Sequence, residues 1–280
     1  MRALTGLLCG ACAAPLVDER VVGADLPAAA VYGEPGARLG AAVATDGQSV
    51  LASSGQAVQS YSPDGALLWE SAPLPAAARR LWLTTDGAHA FVPGHGRYRL
   101  SSGSTVLEAP DSGWLARCTD GWVDVPGARA AACGPDGEVL SAVCSSEECV
   151  VQLDSAEIAV VGPDASVGFL GGVACWAGVD IAADPQAGMV SCADGAQWTG
   201  LDGDHLGAGI AGGWMTGVFN KWTVPPRARM VSVAGDVWAV ERAAERSGLS
   251  VAVAGSITVI GVPGYAGEHA AEGRLLVVGP

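Results

Sequence analysis

Cysteine is the residue type whose spacing in this sequence says most about chemistry. The chain has eight cysteines, and six of them form three local couples: Cys118 with Cys133, Cys144 with Cys149, and Cys175 with Cys192. An even, locally paired set in an exported chain predicts a disulfide framework. Metal binding is the competing interpretation, but none of these six cysteines forms a C-x-x-C pair, and the four histidines lie away from them.

The sequence contains no recognisable catalytic signature. G-x-S-x-G, H-E-x-x-H and the phosphate-binding G-x-x-x-x-G-K-[ST] are all missing from it. A pair of carboxylates can hydrolyse a substrate without any local motif, but Asp120 and Asp204 are no better candidates than other acidic residues. We therefore assign no catalytic residue and expect a protein that is not an enzyme. A hydrolase or lyase that uses loop carboxylates remains the alternative.

Tryptophan is unusually frequent, with nine residues against three Phe and four Tyr. Large flat rings can wedge between packed sheets, or they can stack on sugars and cations. The Gly-rich stretch GGWMTGVFNKWTVPP, from Gly212 to Pro226, is predicted to be an exposed loop. We expect Trp214, Phe219 and Trp222 in it to form a contact surface.

Composition limits the fold and the partners. The chain has 280 residues, of which 50% are hydrophobic and 16% charged, and it contains 40 glycines. This balance predicts many short strands joined by tight turns. The net charge is −14 and Lys221 is the single lysine. Phosphate backbones require clustered Lys and Arg, so a nucleic-acid partner is not expected.

The N-terminus, MRALTGLLCGACAAPL, resembles a bacterial lipoprotein signal. The resemblance implies cleavage before Cys12 and acylation of its thiol, although Cys9 stands where Leu is usual. Residues 1–12 would then be the signal segment and residues 13–27 a tether. We expect a cell-envelope protein that contacts the membrane only through this lipid anchor. A signal that is cleaved without lipidation, giving a secreted or periplasmic protein, is the alternative.

A repeated theme organises the rest of the chain. Apolar alternating runs are separated by polar turns, and Asp-Gly, the strongest short hairpin signal, recurs. Seven units with a spacing of about 35 residues follow one another, beginning at Arg38, Arg80, Trp114, Cys149, Val173, His205 and Gly248. A sheet of three or four strands must bury both faces against neighbours. Radial stacking over residues 28–280 therefore predicts an all-β propeller, with a linear solenoid as the alternative and six blades as the alternative count.

Two stretches, RLGAAVATDGQSVLASS and GLSVAVAGSITVIGVPG, resemble the FG-GAP repeat of integrin-α-type propellers. The resemblance implies a seven-bladed β-propeller used for adhesion or binding. It places the GVPG segment at a corner between strands, where Gly261 and Gly264 are expected to adopt unusual φ angles. The C-terminal hairpin is expected to meet the N-terminal strand and close the ring.

Calcium is a common ligand of FG-GAP units, which hold it in a D-x-D-x-D-G loop. In this sequence only Asp202 and Asp204 have the required i, i+2 spacing, and no third ligand follows. We therefore expect no cofactor and no metal. The predicted function is a non-enzymatic binding, adhesion or scaffold module of the envelope, a monomer whose partner is an envelope protein or a glycan. A purely structural subunit of an envelope assembly is a further alternative.

Overall fold

The fold is entirely β in the part of the chain that the computed structural model describes. None of these residues forms a helix long and apolar enough to cross a membrane. The described residues are 28–110, 115–118, 121–124, 139–144, 149–153, 157–161, 166–177, 187–192, 194–220, 227–234, 237–241, 250–265 and 271–279.

The described strands form six sheets, each with antiparallel neighbours. Sheet I contains β2 (Val43–Thr45), β3 (Val50–Ser54), β4 (Ala57–Tyr61) and β5 (Leu67–Glu70). Sheet II contains β6 (Arg80–Thr84), β7 (Gly87–Val92), β8 (Gly96–Ser101) and β9 (Ser104–Ala109). Sheet III contains β10 (Leu115–Cys118), β11 (Gly121–Asp124), β12 (Val139–Cys144), β13 (Cys149–Leu153) and β14 (Glu157–Val161).

Sheets IV to VI complete the set. Sheet IV contains β15 (Ser166–Leu170), β16 (Val173–Ala177), β17 (Met189–Cys192) and β18 (Gln197–Thr199). Sheet V contains β19 (Gly209–Ala211), β20 (Trp214–Asn220), β21 (Arg227–Ser232) and β22 (Val237–Glu241). Sheet VI contains β23 (Ser250–Ala254), β24 (Ile257–Val262), β25 (Arg274–Val278) and β1 (Ala28–Tyr32).

The seven predicted units correspond only in part to these sheets. The units that begin at Trp114 and Cys149 both contribute to sheet III, whose strand order is β11-β10-β14-β13-β12. The described strands therefore make six sheets, and a seven-bladed count remains a prediction.

Asp-Gly turns explain where several strands end. Asp46-Gly47 joins β2 to β3, and Asp86-Gly87 joins β6 to β7. In the first of these turns Gly47 has φ of 87°, a conformation that glycine adopts without steric cost. The Asp46 carboxylate accepts hydrogen bonds from the backbone N–H groups of Gln48 and Ser49, at 2.8 and 2.7 Å. The same dipeptide thus supplies both the turn geometry and its polar partners.

Successive hydrophobic side chains along a strand point to opposite faces of the sheet, so both faces are buried. In sheet I, Leu51 and Val58 pack into a cluster with residues of sheet II. Their neighbours Val50 and Ala52 point the other way, into a cluster shared with sheet VI. Because side chains alternate across a strand, adjacent residues serve different sheet-to-sheet interfaces. A third cluster joins sheets IV and V. The result is a propeller-like stack.

The N-terminal strand and the C-terminal hairpin meet in sheet VI. β1 pairs with β25 from Ala28↔Val278 to Tyr32↔Arg274, so the expected contact between the N-terminal strand and the C-terminal hairpin is present. Leu39 and Gly273 form a parallel bridge. The Arg274 guanidinium lies 5.3 Å from the ring centre of Tyr32 and 5.5 Å from that of Tyr265.

Gly261 and Gly264 do not have the role that the sequence suggested. Neither is among the described glycines with positive φ, so the prediction of unusual backbone angles there is wrong. Gly261 lies inside β24, and a Cβ on it would collide with the carbonyl oxygen of Gly40 and the hydroxyl of Ser250. Close approach of sheets VI and I, rather than a special φ, requires glycine at this position.

One of the three predicted disulfides is present among the described residues. Cys175 and Cys192 form a disulfide with a Cα–Cα distance of 4.0 Å, at directly opposed positions of β16 and β17. Cys144 and Cys149 are likewise partners in the β12–β13 register, and their disulfide remains a prediction. Cys118 ends β10, whereas Cys133, like Cys12, lies outside the described residues.

Candidate functional site

A cavity of about 490 Å³ lies between the first strands of five sheets. Its described lining comes from β2, β6, β15, β19 and β23 together with the residues next to them. Each of these strands is the edge strand of its own sheet. Because an edge strand turns a row of backbone N–H and C=O groups away from its sheet, the cavity wall is polar even where its side chains are small.

Two hydrogen bonds show that the lining strands begin at the same end of the cavity. The Ser166 hydroxyl at the start of β15 donates to Ala208 O, just before β19, at 3.2 Å. The Ser250 hydroxyl at the start of β23 donates to Gly40 O, shortly before β2, at 2.6 Å. A seryl hydroxyl thus joins one sheet to the next in the same way at two junctions. We call this end of the cavity the polar mouth.

Arg79 and Arg80 are among the residues that line the cavity, at the start of β6. The connection from β5 to β6 runs along this end of sheet I, because Leu74 N donates to Gln56 O in the β3–β4 turn at 2.6 Å. Arg80 then begins β6, and its Nη1 donates to Arg79 O at 3.2 Å. Among the described residues that line the cavity, these two carry the charged side chains, and both are cations.

The electrostatics of the polar mouth disfavour its own positive charge. Burial first, and the neighbouring Arg79 second, lower the pKa of Arg80 to about 10. Arg80 is still protonated at neutral pH, but its charge lies where solvation is poor and a like charge is close.

A second polar cluster lies in sheet II, and of its residues Trp82 also lines the cavity. His89 is buried, and its Nδ1 lies 3.0 Å from Glu108 Oε2 while its Nε2 lies 3.1 Å from Thr84 Oγ1. The Trp82 ring stacks on the imidazole, with ring centres 5.5 Å apart. Thr84 also donates to the Asp86 carboxylate, and this hydrogen bond is the main cause that lowers the pKa of Asp86.

This hydroxyl–imidazole–carboxylate series has the order found in nucleophilic hydrolases. The Thr84 hydroxyl is shared with Asp86 and with Gly87 O, at 3.2 Å for the latter. Thr45, which likewise ends its strand in sheet I, bonds its own turn through its hydroxyl without a histidine. The Thr84 hydroxyl is therefore already explained by its hydrogen bonds within the turn between β6 and β7.

Asp204, an acidic residue considered at the sequence level, has a structural partner. Its Oδ2 accepts hydrogen bonds from Leu201 N at 2.9 Å and from Arg229 Nε at 3.0 Å. The Arg229 and Asp204 side chains are 4% and 2% exposed. The carboxylate thus holds a buried guanidinium rather than standing in an open loop. Asp120 lies outside the described residues.

The three predicted contact residues do not lie in one exposed loop. Trp214–Asn220 is strand β20, so the prediction of a loop from Gly212 is wrong there. The reason is that β20 pairs with both β19 and β21 inside sheet V. Trp214 is partly buried against Met230, Ile260 and Val262. Phe219 belongs to the same strand, Trp222 lies outside the described residues, and a binding role for the three remains a prediction.

Sequence reasoning did not find the polar mouth, although one signal was available. Arg79-Arg80 is the chain's only pair of adjacent basic residues. Nothing in the local sequence, however, shows that this pair begins an inner strand. Among the described residues, no group of three or more His, Cys, Asp or Glu side chains converges in a way that could hold a metal ion. The expectation of no calcium remains a prediction.

Comparison with known proteins places the chain in no established family. No family model and no curated protein matches it. The crystal structure of BamB from Moraxella catarrhalis is 12% identical, with a TM-score of 0.36, over 85% of this chain and 84% of that one. The computationally designed Ika8 protein is 10% identical, with a TM-score of 0.28, over 86% and 71%. Hsv2 from Kluyveromyces lactis is 9% identical, with a TM-score of 0.31, over 82% and 70%. We rest no functional argument on likenesses of this size, and the FG-GAP resemblance remains a prediction.

Proposed function

We propose that this protein is a non-enzymatic binding or scaffold module of the cell envelope. It is built as a closed propeller around the cavity between the five sheets. The observation that carries the proposal is the cavity itself, whose wall is assembled from the edge strands of five sheets. Concave sites with a few placed polar groups on a rigid frame are typical of ligand recognition. The partner is an envelope protein or a glycan.

Contacts between the first and last sheets support a closed ring. The Ser250–Gly40 hydrogen bond repeats the chemistry of the Ser166–Ala208 bond between sheets IV and V. β1 adds the outer strand of sheet VI by pairing with β25. In the closed ring, both chain ends are held in one sheet, and fewer strand edges are left for other chains to pair with.

Two features support a location outside the cytosol. The first is the signal-like N-terminus with Cys12. The second is the disulfide between Cys175 and Cys192, because disulfides persist in oxidising compartments and are rare in the cytosol. With Cys12 acylated, residues 13–27 would tether the ring to a membrane surface.

Fractionation and crosslinking in a bacterial host test this proposal. The wild-type protein should sediment with membranes, begin at a lipid-modified Cys12 and crosslink to a defined envelope protein or to glycan. Cys12→Ser should release the protein or leave its precursor uncut, whereas Cys175→Ala/Cys192→Ala should leave the anchoring intact. A cytosolic protein that retains Met1 would contradict the proposal.

The Thr84–His89–Glu108 series supports a second candidate function, a hydrolase. In that case purified protein should hydrolyse activated esters, and His89→Ala should abolish the activity while leaving the fold intact. The non-enzymatic proposal predicts equal and negligible rates for the wild type and His89→Ala. His95, which lies in the β7–β8 turn, provides the matched control substitution His95→Ala.

A further inference from the structure

We propose that Tyr32, Tyr265 and Arg274, at one end of sheet VI, form a binding site for an acidic sugar, that is, a pyranose ring that carries a carboxylate group. The inference rests on the proposed binding function, for which it names a ligand class. It is measured on the purified protein, so it can fail while envelope anchoring and crosslinking hold, and the reverse.

The strand register brings these three side chains to one end of the sheet. Tyr32 is the last residue of β1 and Arg274 is the first residue of β25, and the two are direct partners in the β1–β25 register. Tyr265 follows β24, where its N–H donates to Val262 O at 3.0 Å and its carbonyl accepts from Gly273 N at 3.1 Å. Residues from three neighbouring strands therefore meet at one place.

The two rings and the guanidinium form a compact triangle. Arg274 Cζ lies 5.3 Å from the ring centre of Tyr32 and 5.5 Å from that of Tyr265, and the ring centres are 5.7 Å apart. Tyr32 is 53% exposed, whereas Tyr265 is partly buried against a hydrophobic cluster of sheets V and VI. One ring is thus anchored in the core, and the other borders solvent beside a positive charge.

The donors of Arg274 are not used by any described carboxylate. Within the described ranges no acidic side chain forms an ion pair with it, and Glu272, two positions earlier, is itself buried. Its Nε is buried and has no hydrogen-bond partner. Because a guanidinium presents a planar fork of N–H donors that matches a carboxylate, a ligand carboxylate would supply the partner that Arg274 lacks.

The backbone that leads into Arg274 is held in place before any ligand binds. Arg38 N donates to Ala271 O at 3.0 Å, and Leu39 N donates to Glu272 O at 3.1 Å. Arg38 and Ala271 have φ of 50° and 54°, and non-glycine residues keep such angles only where the surrounding structure enforces them. A site on a fixed backbone loses less conformational entropy when it binds.

The combination of groups favours an acidic sugar over a neutral sugar or a simple anion. Aromatic rings offer an apolar face on which a sugar ring can stack, and a simple anion cannot use that face. The guanidinium offers charge-assisted hydrogen bonds, and a neutral sugar cannot use its charge. Of the two partner classes proposed above, a glycan that carries uronic acid residues fits both.

Isothermal titration calorimetry at constant pH and ionic strength tests the inference, with trigalacturonate as the probe. Maltotriose is the matched neutral sugar, and acetate is the matched simple anion. We expect trigalacturonate to bind the wild type about 10-fold or more tightly than either, since a hydrogen bond to a charged group accounts for a factor of that size. No binding of trigalacturonate, or equal affinity for it and for one of the other two probes, would overturn the inference.

Substitutions assign the site to its residues. Arg274→Gln should weaken trigalacturonate binding about 10-fold or more, and Tyr32→Leu should weaken it about 2- to 10-fold, the factor for one aromatic contact. Arg99→Gln is the matched control, because Arg99 is 52% exposed and lies beside Glu108 in sheet II, and it should leave the affinity unchanged. The urea transition checks the fold of each variant, and Tyr32→Leu changes an exposed side chain. Wild-type affinity in a folded Tyr32→Leu variant, or an equal loss in Arg99→Gln, would overturn the assignment.

Chemical protection gives a test that needs no variant. Tetranitromethane nitrates accessible tyrosines, and mass spectrometry of the digest reports each position separately. Trigalacturonate should slow the nitration of Tyr32 by about the fraction of sites occupied, and should leave Tyr98 in β8 unaffected. Equal rates at Tyr32 with and without a saturating concentration of the sugar would contradict its place in the site.

Discussion

The buried pair of Asp204 and Arg229 gives the sharpest test of the packing. The two side chains are 2% and 4% exposed, and the carboxylate bonds both Arg229 Nε and Leu201 N. In addition, the backbone oxygen of Asp204 accepts from Val218 N at 2.7 Å. Asp204 therefore fastens the connection between sheets IV and V onto strands β20 and β21.

Removing one member of this pair takes away a charged hydrogen-bond partner from the other, which is buried. We expect Asp204→Asn or Arg229→Met to lower the free energy of unfolding by about 3–5 kcal/mol. The double variant Asp204→Asn/Arg229→Met should lose clearly less than the sum of the two, because both single changes remove the same interaction. Against a total stability of roughly 5–15 kcal/mol, either single change would remove a large share of the stability.

The wild type, the two single variants and the double variant form a double-mutant cycle. Urea denaturation of these four proteins, followed by tryptophan fluorescence, measures the interaction energy between Asp204 and Arg229. Arg99→Met is the matched control, because Arg99 is 52% exposed and its Nε lies 3.3 Å from Glu108 Oε1. As an exposed pair it should contribute only about 0–1 kcal/mol. Losses at Asp204 and Arg229 that are additive, or as small as the loss at Arg99, would refute the burial and pairing described here.

Three further substitutions test separate parts of the structure. Replacing Cys175 and Cys192 by Ala should lower the free energy of unfolding by about 3 kcal/mol, the chain-entropy value for their sequence separation of 17; reduction of the wild type with no change in its urea midpoint would contradict this. Burial, and secondarily Glu70, raise the pKa of Tyr61 to about 12. Because the folded state then holds the phenol proton more tightly than the unfolded chain, stability should fall as the pH rises from about 10 to about 12. Tyr61→Phe should lack that part of the fall, and its absorbance titration should lack the wild-type transition near pH 12. Trp214→Ala should lower the free energy of unfolding by about 1–3 kcal/mol, since the ring packs against Met230, Ile260 and Val262; an unchanged urea midpoint together with weaker partner binding would instead support the predicted contact surface.

Local turn chemistry made the fold class predictable. Asp46-Gly47 and Asp86-Gly87 mark hairpins because Asp binds the next backbone N–H groups and Gly accepts positive φ. The alternation of Val50, Leu51 and Ala52 then requires a sheet with two buried faces. The grouping of residues 115–161 into one five-stranded sheet was not predictable, because the units at Trp114 and Cys149 each resemble a complete repeat.

The candidate site depended on contacts between residues far apart in the chain. Arg79 and Arg80 form a mouth with Ser166 and Ser250 only after five sheets have stacked, and no local pattern records that stacking. The sequence indicates only a turn residue at Asp204. Its partner Arg229 lies 25 positions later, and only the fold brings the two side chains together. From the sequence, Gly261 is interpreted as a corner between strands. The structure shows that glycine is required there by the carbonyl oxygen of Gly40, a residue far away in the chain.

Closure of the ring between sheets I and VI is tested most directly by an engineered crosslink. A Cβ on Gly47 would lie 3.9 Å from the Cβ of Ala254, within the Cβ–Cβ range of about 3.5–4.5 Å found in disulfides. Gly47→Cys/Ala254→Cys should therefore yield a peptide linking positions 47 and 254 in a non-reducing digest, and neither single variant should yield it. Because Gly47 has φ of 87°, the fold of the double variant is checked by its urea transition. If a folded double variant gave no linked peptide while the same digest recovered the Cys175–Cys192 disulfide, the closed ring would be contradicted.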